Sequence, residues 1–195
     1  FHFEHGKPVD WNRLVAAYAT TGFQASNLGA AIDQINRMRK WRLSDEPIKP
    51  GDDITDPAER AKVRAKIFLG YTSNLVSSGL REVFVYLAKN RLVDVIVSTA
   101  GGIEEDFIKC MGKMYMGEFT LKGATLRAKG LNRIGNILAP NENYCRFETW
   151  IEPILDQMLK EQIEQGVVWT PSKFIHRLGK EINDESSIYY RSEER

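Results

Sequence analysis

The sequence predicts an α/β protein built on parallel strands with flanking helices, and three stretches predict it. Ile67-Phe68-Leu69-Gly70-Tyr71 is a short apolar run, Leu80 to Leu87 has helical spacing through Val83, Phe84 and Leu87, and Val93 to Val97 is a second run rich in β-branched residues. Continuous apolar runs of this length suit strands covered on both faces, as in parallel sheets. Strand, helix and strand within about 30 residues make a βαβ unit, whose strands run parallel with a right-handed crossover.

The elements around this unit follow from periodicity and capping. Asp10 is placed to N-cap a short helix in which Trp11, Leu14, Val15 and Tyr18 share a face, and Gly22 turns the chain after it. A longer helix is expected from Ser26 to near Leu43, with Leu28, Ala31, Ile32, Ile35 and Met38 apolar and Asp33, Arg37, Arg39 and Lys40 on other faces. Residues 44–60 hold Pro47, Pro50, Pro57 and Gly51 among mixed charges, and read as a surface connection.

Downstream of the βαβ unit, Leu121 to Arg127 reads as helix and Arg133 to Leu138 as one strand closed by Pro140. Tyr144 to Glu164 is a helix with Phe147, Ile151, Ile154, Leu155 and Met158 inward, where Pro153 should kink or restart it. Thr170 and Pro171 are an N-cap and first helical residue, followed by Phe174, Ile175 and Leu178.

Composition narrows the function classes. The 195 residues are 43% hydrophobic, enough for one ordinary core, and Lys+Arg number 27 against 26 for Asp+Glu. A formal net charge of +1 offers no excess of positive charge for a phosphate backbone, so nucleic acid is disfavoured as a partner. No apolar run reaches the roughly 20 residues that span a bilayer, and residues 1–6 lack a signal-peptide pattern, so a soluble, cytoplasmic protein without a membrane partner is expected. Cys110 and Cys145 stand apart without metal-ligand spacing and read as reduced thiols packed as small apolar groups.

Chemistry is expected at the carboxyl ends of the two parallel strands, where ligands bind in open α/β sheets. After the first strand, Thr72-Ser73-Asn74-Leu75-Val76-Ser77-Ser78-Gly79 offers hydroxyls, amides and a helix start, which suits either a phosphate or a simple N-capped turn. After the second, Ser98-Thr99-Ala100-Gly101-Gly102-Ile103-Glu104-Glu105-Asp106 pairs glycines that admit close backbone approach with three acids. Those acids suit either the dipole of a helix start or a cationic ligand, since ammonium groups leave water cheaply only when carboxylates receive them. Glu104 and Glu105 point to different sides of the helix start, so the three acids should not all face one ligand. No GxGxxG is present. His176 reads as a surface side chain, and Lys109 as an ion-pairing residue whose pKa is held up by the neighbouring acids.

These loops, with their surroundings, resemble deoxyhypusine synthase. The resemblance runs through Thr20-Thr21-Gly22-Phe23-Gln24-Ala25-Ser26-Asn27, Ile67 to Leu75, Thr99 to Asp106, Gly117-Glu118-Phe119 and Asn132-Arg133-Ile134-Gly135-Asn136. It continues through Pro140-Asn141-Glu142-Asn143-Tyr144-Cys145, Pro153-Ile154-Leu155-Asp156-Gln157 and Leu178-Gly179-Lys180-Glu181-Ile182-Asn183.

It implies a Rossmann-like parallel sheet with flanking helices, incomplete without a C-terminal half, so that residues 1–195 form the N-terminal half of one domain. It also implies that Ser73, Asn74, Leu75, Val76 and Ser77 form a first NAD loop, and Thr99, Ala100 and Gly101 a second. Glu104 and Glu105 match spermidine-binding acids, with Glu105 also close to the cofactor. In the family, NAD takes hydride from spermidine, 1,3-diaminopropane leaves, and the butylimine passes through an enzyme lysine to a lysine of translation factor 5A, where it is reduced.

The family's catalytic lysine lies beyond a segment like Ser187-Ile188-Tyr189-Tyr190, and its inhibitory N-terminal helical segment would precede Phe1, so the resemblance assigns no catalytic residue here. A companion is therefore expected: the C-terminal half of the same precursor after proteolytic cleavage, or a paralogous subunit, within a homo- or hetero-tetramer. The alternative function is a non-catalytic regulatory subunit that activates a catalytic paralogue.

Overall fold

The computed structural model describes residues 5–193 and divides into two compact units, one ending at Ile67 and the other beginning at Phe68. In the first unit, α1 (Trp11–Ala17) is capped by Asp10, whose carboxylate accepts from the Arg13 amide at 3.1 Å. After a 3₁₀ turn, α2 spans Phe23–Lys40. It starts three residues before the expected Ser26, because the Ser26 hydroxyl accepts from the Gly22 amide at 2.9 Å and secures the turn from inside the first helical turn. It also ends at Lys40, short of Leu43, where a second 3₁₀ turn begins.

Residues 44–60 lie mostly at the surface, but they are more ordered than a plain connection. Asp56 caps α3 (Pro57–Lys62), which begins inside this stretch. The Arg60 side chain is buried, donating to Asp52 at 3.1 Å and to the carbonyls of Ile54, Leu43 and Glu46 at 2.9–3.0 Å. A guanidinium with five fixed donors can hold four acceptors at once, here tying residues 43–46 to residues 52–54 and shaping the connection.

The second unit opens with β1 (Phe68–Tyr71), α4 (Asn74–Ser77), α5 (Arg81–Lys89), β2 (Val95–Ser98) and α6 (Gly101–Met111). β1 and β2 pair in parallel from Phe68 opposite Val95 to Tyr71 opposite Ser98, so the βαβ expectation holds. The expectation of buried strands does not hold within this chain: Phe68 is 67% exposed and Val97 57%. Two strands cannot cover each other's faces, whatever their composition.

Next come β3 (Tyr115–Met116), α7 (Gly123–Ala128), β4 (Leu131–Ile134) and β5 (Ile137–Pro140), the strands forming an antiparallel sheet in the order β3-β5-β4. The single strand expected over Arg133–Leu138 is in fact the tip of a hairpin. Ile134 pairs with Ile137 across the two-residue loop Gly135-Asn136, and Gly135 has φ +61°. Glycine at the first loop position is what a tight hairpin turn requires, and it outweighs the continuity of the apolar run.

Helices α8 (Asn141–Gln165), α9 (Pro171–Ile182) and α10 (Ile188–Glu193) complete the unit. The core is Phe107 of α6, Ile154 and Met158 of α8 and Leu178 of α9, with Phe147, Trp150, Phe174 and Tyr189 packed around it. Helix α8 continues through Pro153 without restarting, held by this packing along one face. Leu155, expected inward, is 42% exposed, being one residue past the buried Ile154 and off the core-facing stripe. Thr170 caps α9 as expected, its hydroxyl accepting from the Lys173 amide. Cys110 is half-buried and Cys145 exposed, so only the first fits the apolar role expected of both.

Candidate functional site

The parallel register sets the carboxyl ends of β1 and β2 side by side, and each strand leads within two residues into a helix. The two loops touch: the Ser73 amide donates to the Thr99 hydroxyl at 3.1 Å. Gly101 lies so close to Ser73 that a Cβ there would fall 2.7 Å from the Ser73 Cβ, and one on Gly102 would fall 2.0 Å from the Ser98 hydroxyl. The paired glycines thus let the start of α6 sit directly on the strand ends. The structure brings Ser73, Val76, Ser77, Thr99, Gly101 and Glu105 together, with Asn74, Leu75 and Ala100 exposed on the same two segments.

The three acids of α6 have three different surroundings. Glu105 is 7% exposed and accepts a short hydrogen bond from the Ser77 hydroxyl, joining the helix after β2 to the helix after β1. Burial pushes its carboxyl above the usual range, the Ser77 bond opposes this, and the Glu104 carboxylate adds to it. Glu104 is half-buried, with a carboxylate oxygen 4.0 Å from where a Gly101 Cβ would stand.

Asp106 is fully buried and occupied structurally. It takes the Arg81 guanidinium at 2.6 Å, the Ser187 hydroxyl at 2.6 Å and the Ile188 amide at 3.1 Å, pinning the start of α10.

Lys109 corrects the sequence reading. Its ammonium donates to the backbone carbonyls of Val76 at 2.9 Å and Ser78 at 2.7 Å. Burial, followed by the Arg81 charge, lowers its pKa below the ordinary lysine value, with Glu105 and Asp106 opposing. Proximity in sequence to three acids suggests the opposite shift, because sequence cannot show that the ammonium is buried and lies near the Arg81 charge. Two further groups escaped sequence reasoning. The Tyr189 hydroxyl donates to the Gly102 carbonyl at 2.9 Å, bracing the glycine pair from behind. The Tyr144 phenol has its pKa raised by burial and then by the charges of Glu105 and Glu104. Its signal was available only as part of the motif around Asn141, with no spacing to single it out.

The donor set suits a phosphate-bearing cofactor beside a cation: hydroxyls and helix starts on the loops, carboxylates next to them. Among the described residues no cluster of His, Cys, Asp and Glu is arranged for a metal ion, and no helix is long and apolar enough to cross a membrane. His176 is exposed.

A model of the deoxyhypusine synthase family matches residues 13–195. The chain belongs to the deoxyhypusine synthase family. Among its relatives, a Dictyostelium discoideum protein provisionally assigned as a deoxyhypusine synthase is 63% identical over 188 residues, covering 96% of this chain and 50% of its own length. The Brassica napus deoxyhypusine synthase is 59% identical over 191 residues, covering 96% and 52%. Homospermidine synthase 2 of Senecio vernalis is 55% identical over 190 residues, covering 97% and 51%. The crystal structure of an Entamoeba histolytica protein provisionally assigned as a deoxyhypusine synthase superposes with TM-score 0.60 at 31% identity, covering all of this chain and 60% of its own. The chain therefore spans about half the length of the curated relatives it matches, and its fold is α/β with a small parallel sheet and flanking helices.

Proposed function

We propose that this chain is the cofactor- and polyamine-binding part of a deoxyhypusine synthase, which transfers the aminobutyl group of spermidine to a lysine of translation factor 5A with NAD as cofactor. The observation that carries the proposal is the meeting of two strand-end loops under a buried carboxylate, Glu105. When bound, NAD supplies the hydride acceptor and donor for the reaction. Ser73 to Ser77 and Thr99 to Gly101 are the residues proposed to hold it, and the glycine pair lets the start of α6 close onto the Ser73 and Ser98 side chains.

Glu104 and Glu105 diverge from one helical turn, so they suit a ligand with amines at more than one position. Glu105 in particular gains from a cation. Its carboxylate is costly in the protein interior, and an ammonium group beside it would return the pKa toward normal.

The lysine nucleophile is proposed to lie in the portion of the relatives' length that this chain does not span, supplied as a continuation, as a cleaved half or by a paralogous subunit of a tetramer. The exposed faces of β1 and β2 support such a companion, because apolar strands of this composition are normally covered on both sides. The likeness to a homospermidine synthase leaves the acceptor amine as the point to test, a protein lysine against a free polyamine.

The test is aminobutyl transfer by the enzyme of full family length, offered translation factor 5A and, separately, a free diamine. Labelled spermidine should mark the protein acceptor in an NAD-dependent way. Glu105→Gln should lower turnover per spermidine by about two to four orders of magnitude, the scale of losing one partner from a buried ion pair. Unchanged turnover by Glu105→Gln, or transfer to the diamine alone, would refute the proposal.

A further inference from the structure

We infer that Lys109 is a positioning residue for the cofactor loop, holding the backbone on both sides of Ser77 so that the loop keeps its register against α6. The inference rests on the reading of residues 73–77 as a cofactor loop.

Glu105 and Lys109 are four residues apart on α6 and share one face. That face meets α4, and the two side chains grip it differently. Glu105 takes the Ser77 hydroxyl, while the Lys109 ammonium takes the carbonyls of the residues immediately before and after, Val76 and Ser78. Helix α4 has only four residues, too few to be stable by itself, and its terminal carbonyls have no partners within the helix. Val76 is fully buried, so water is a poor substitute for the ammonium there. A lysine offers three donors on a flexible stem, which fits two carbonyls separated by one residue. Its role is thus distinct from ion pairing: it converts a short, poorly self-supported turn into a fixed platform, with Ser77 held at the centre.

The test uses the enzyme of full family length and Lys109→Met, which keeps the apolar stem and removes the donors. Three quantities are measured: the dissociation constant for NAD without spermidine, hydrogen exchange of amides 76–79 in the cofactor-free enzyme, and the split between KM for NAD and kcat. The expected result is a rise of about tenfold in both the dissociation constant and KM, the scale of losing a charged hydrogen bond, with kcat within about twofold. Faster exchange confined to 76–79 should accompany it, and Lys109→Arg should recover part of the affinity. If Lys109→Met does not accumulate as folded protein, Lys109→Gln replaces it and should show an intermediate rise.

A lower melting temperature with affinity and exchange unchanged would overturn the inference, reducing Lys109 to a stabilising contact. Failure of the wild-type enzyme to bind NAD would instead overturn the proposed function, and the exchange measurement would still decide whether Lys109 holds the loop.

Discussion

Replacing Asp106 by alanine removes the acceptor for three donors at once. Asp106 is fully buried, and its oxygens receive the Arg81 guanidinium, the Ser187 hydroxyl and the Ile188 amide. Breaking a buried ion pair from one side costs about 3–5 kcal/mol, because the remaining charge is left without a partner. The Arg81 side chain is 21% exposed, so it recovers part of its hydration, while Ser187 is fully buried and recovers little. A net loss of about 4 kcal/mol follows, which lowers the melting temperature on the order of 10 °C for a chain of this size. Asp106→Asn should also destabilise, since its amide nitrogen must face one of three donors. The assay is chemical denaturation of wild type, Asp106→Ala, Arg81→Met and the double variant, with limited proteolysis to follow residues 187–193. A double-mutant coupling near zero, or a loss below about 1 kcal/mol for Asp106→Ala, would refute the account of this residue as the anchor of α10.

Two further outcomes are expected. The Glu105 carboxyl has a raised folded-state pKa, so its protonated form is favoured by folding: the associated stability is present below the unfolded pKa and is lost as pH rises through the folded pKa. Glu105→Gln should therefore gain in melting temperature relative to wild type as the pH rises from acid to neutral, as calorimetry across that range would show. Gly102→Ala places a Cβ against the Ser98 side chain and should cost about 1–3 kcal/mol by overpacking. Ser98→Ala alone should be neutral or slightly stabilising, since the Ser98 hydroxyl is buried without a hydrogen-bond partner, and it should recover about half of the Gly102→Ala loss in thermal melts.

Local signals were legible in the sequence wherever one residue decides one structure. Asp10 and Thr170 cap the helices that they were expected to cap, and the two apolar runs at Phe68 and Val95 pair in parallel. The hairpin at Gly135 is masked in the sequence, because apolar residues run continuously on both sides of the glycine in its two-residue turn. Arg60 and Asp106 were illegible for a different reason. Each satisfies partners far away in sequence, and a charged residue that is buried looks like any other charged residue until its acceptors are folded around it. The loops of the site were found by position, whereas Lys109 and Tyr144 required the packing of α6 against its neighbours.

The bare two-stranded sheet has a consequence for assembly. Strand register is specified by burial of one face against a core, and β1 and β2 have little of that within this chain. The helices around Phe107 and Leu178 bury their own apolar face within the chain and do not depend on a neighbour in this way. A neighbour closing over Val95 to Val97 would supply the missing burial of the strands, while the Ser73–Thr99 and Ser77–Glu105 hydrogen bonds already tie the two loops together. Wherever the covering part is a separate chain, binding competence should therefore gain a concentration-dependent phase.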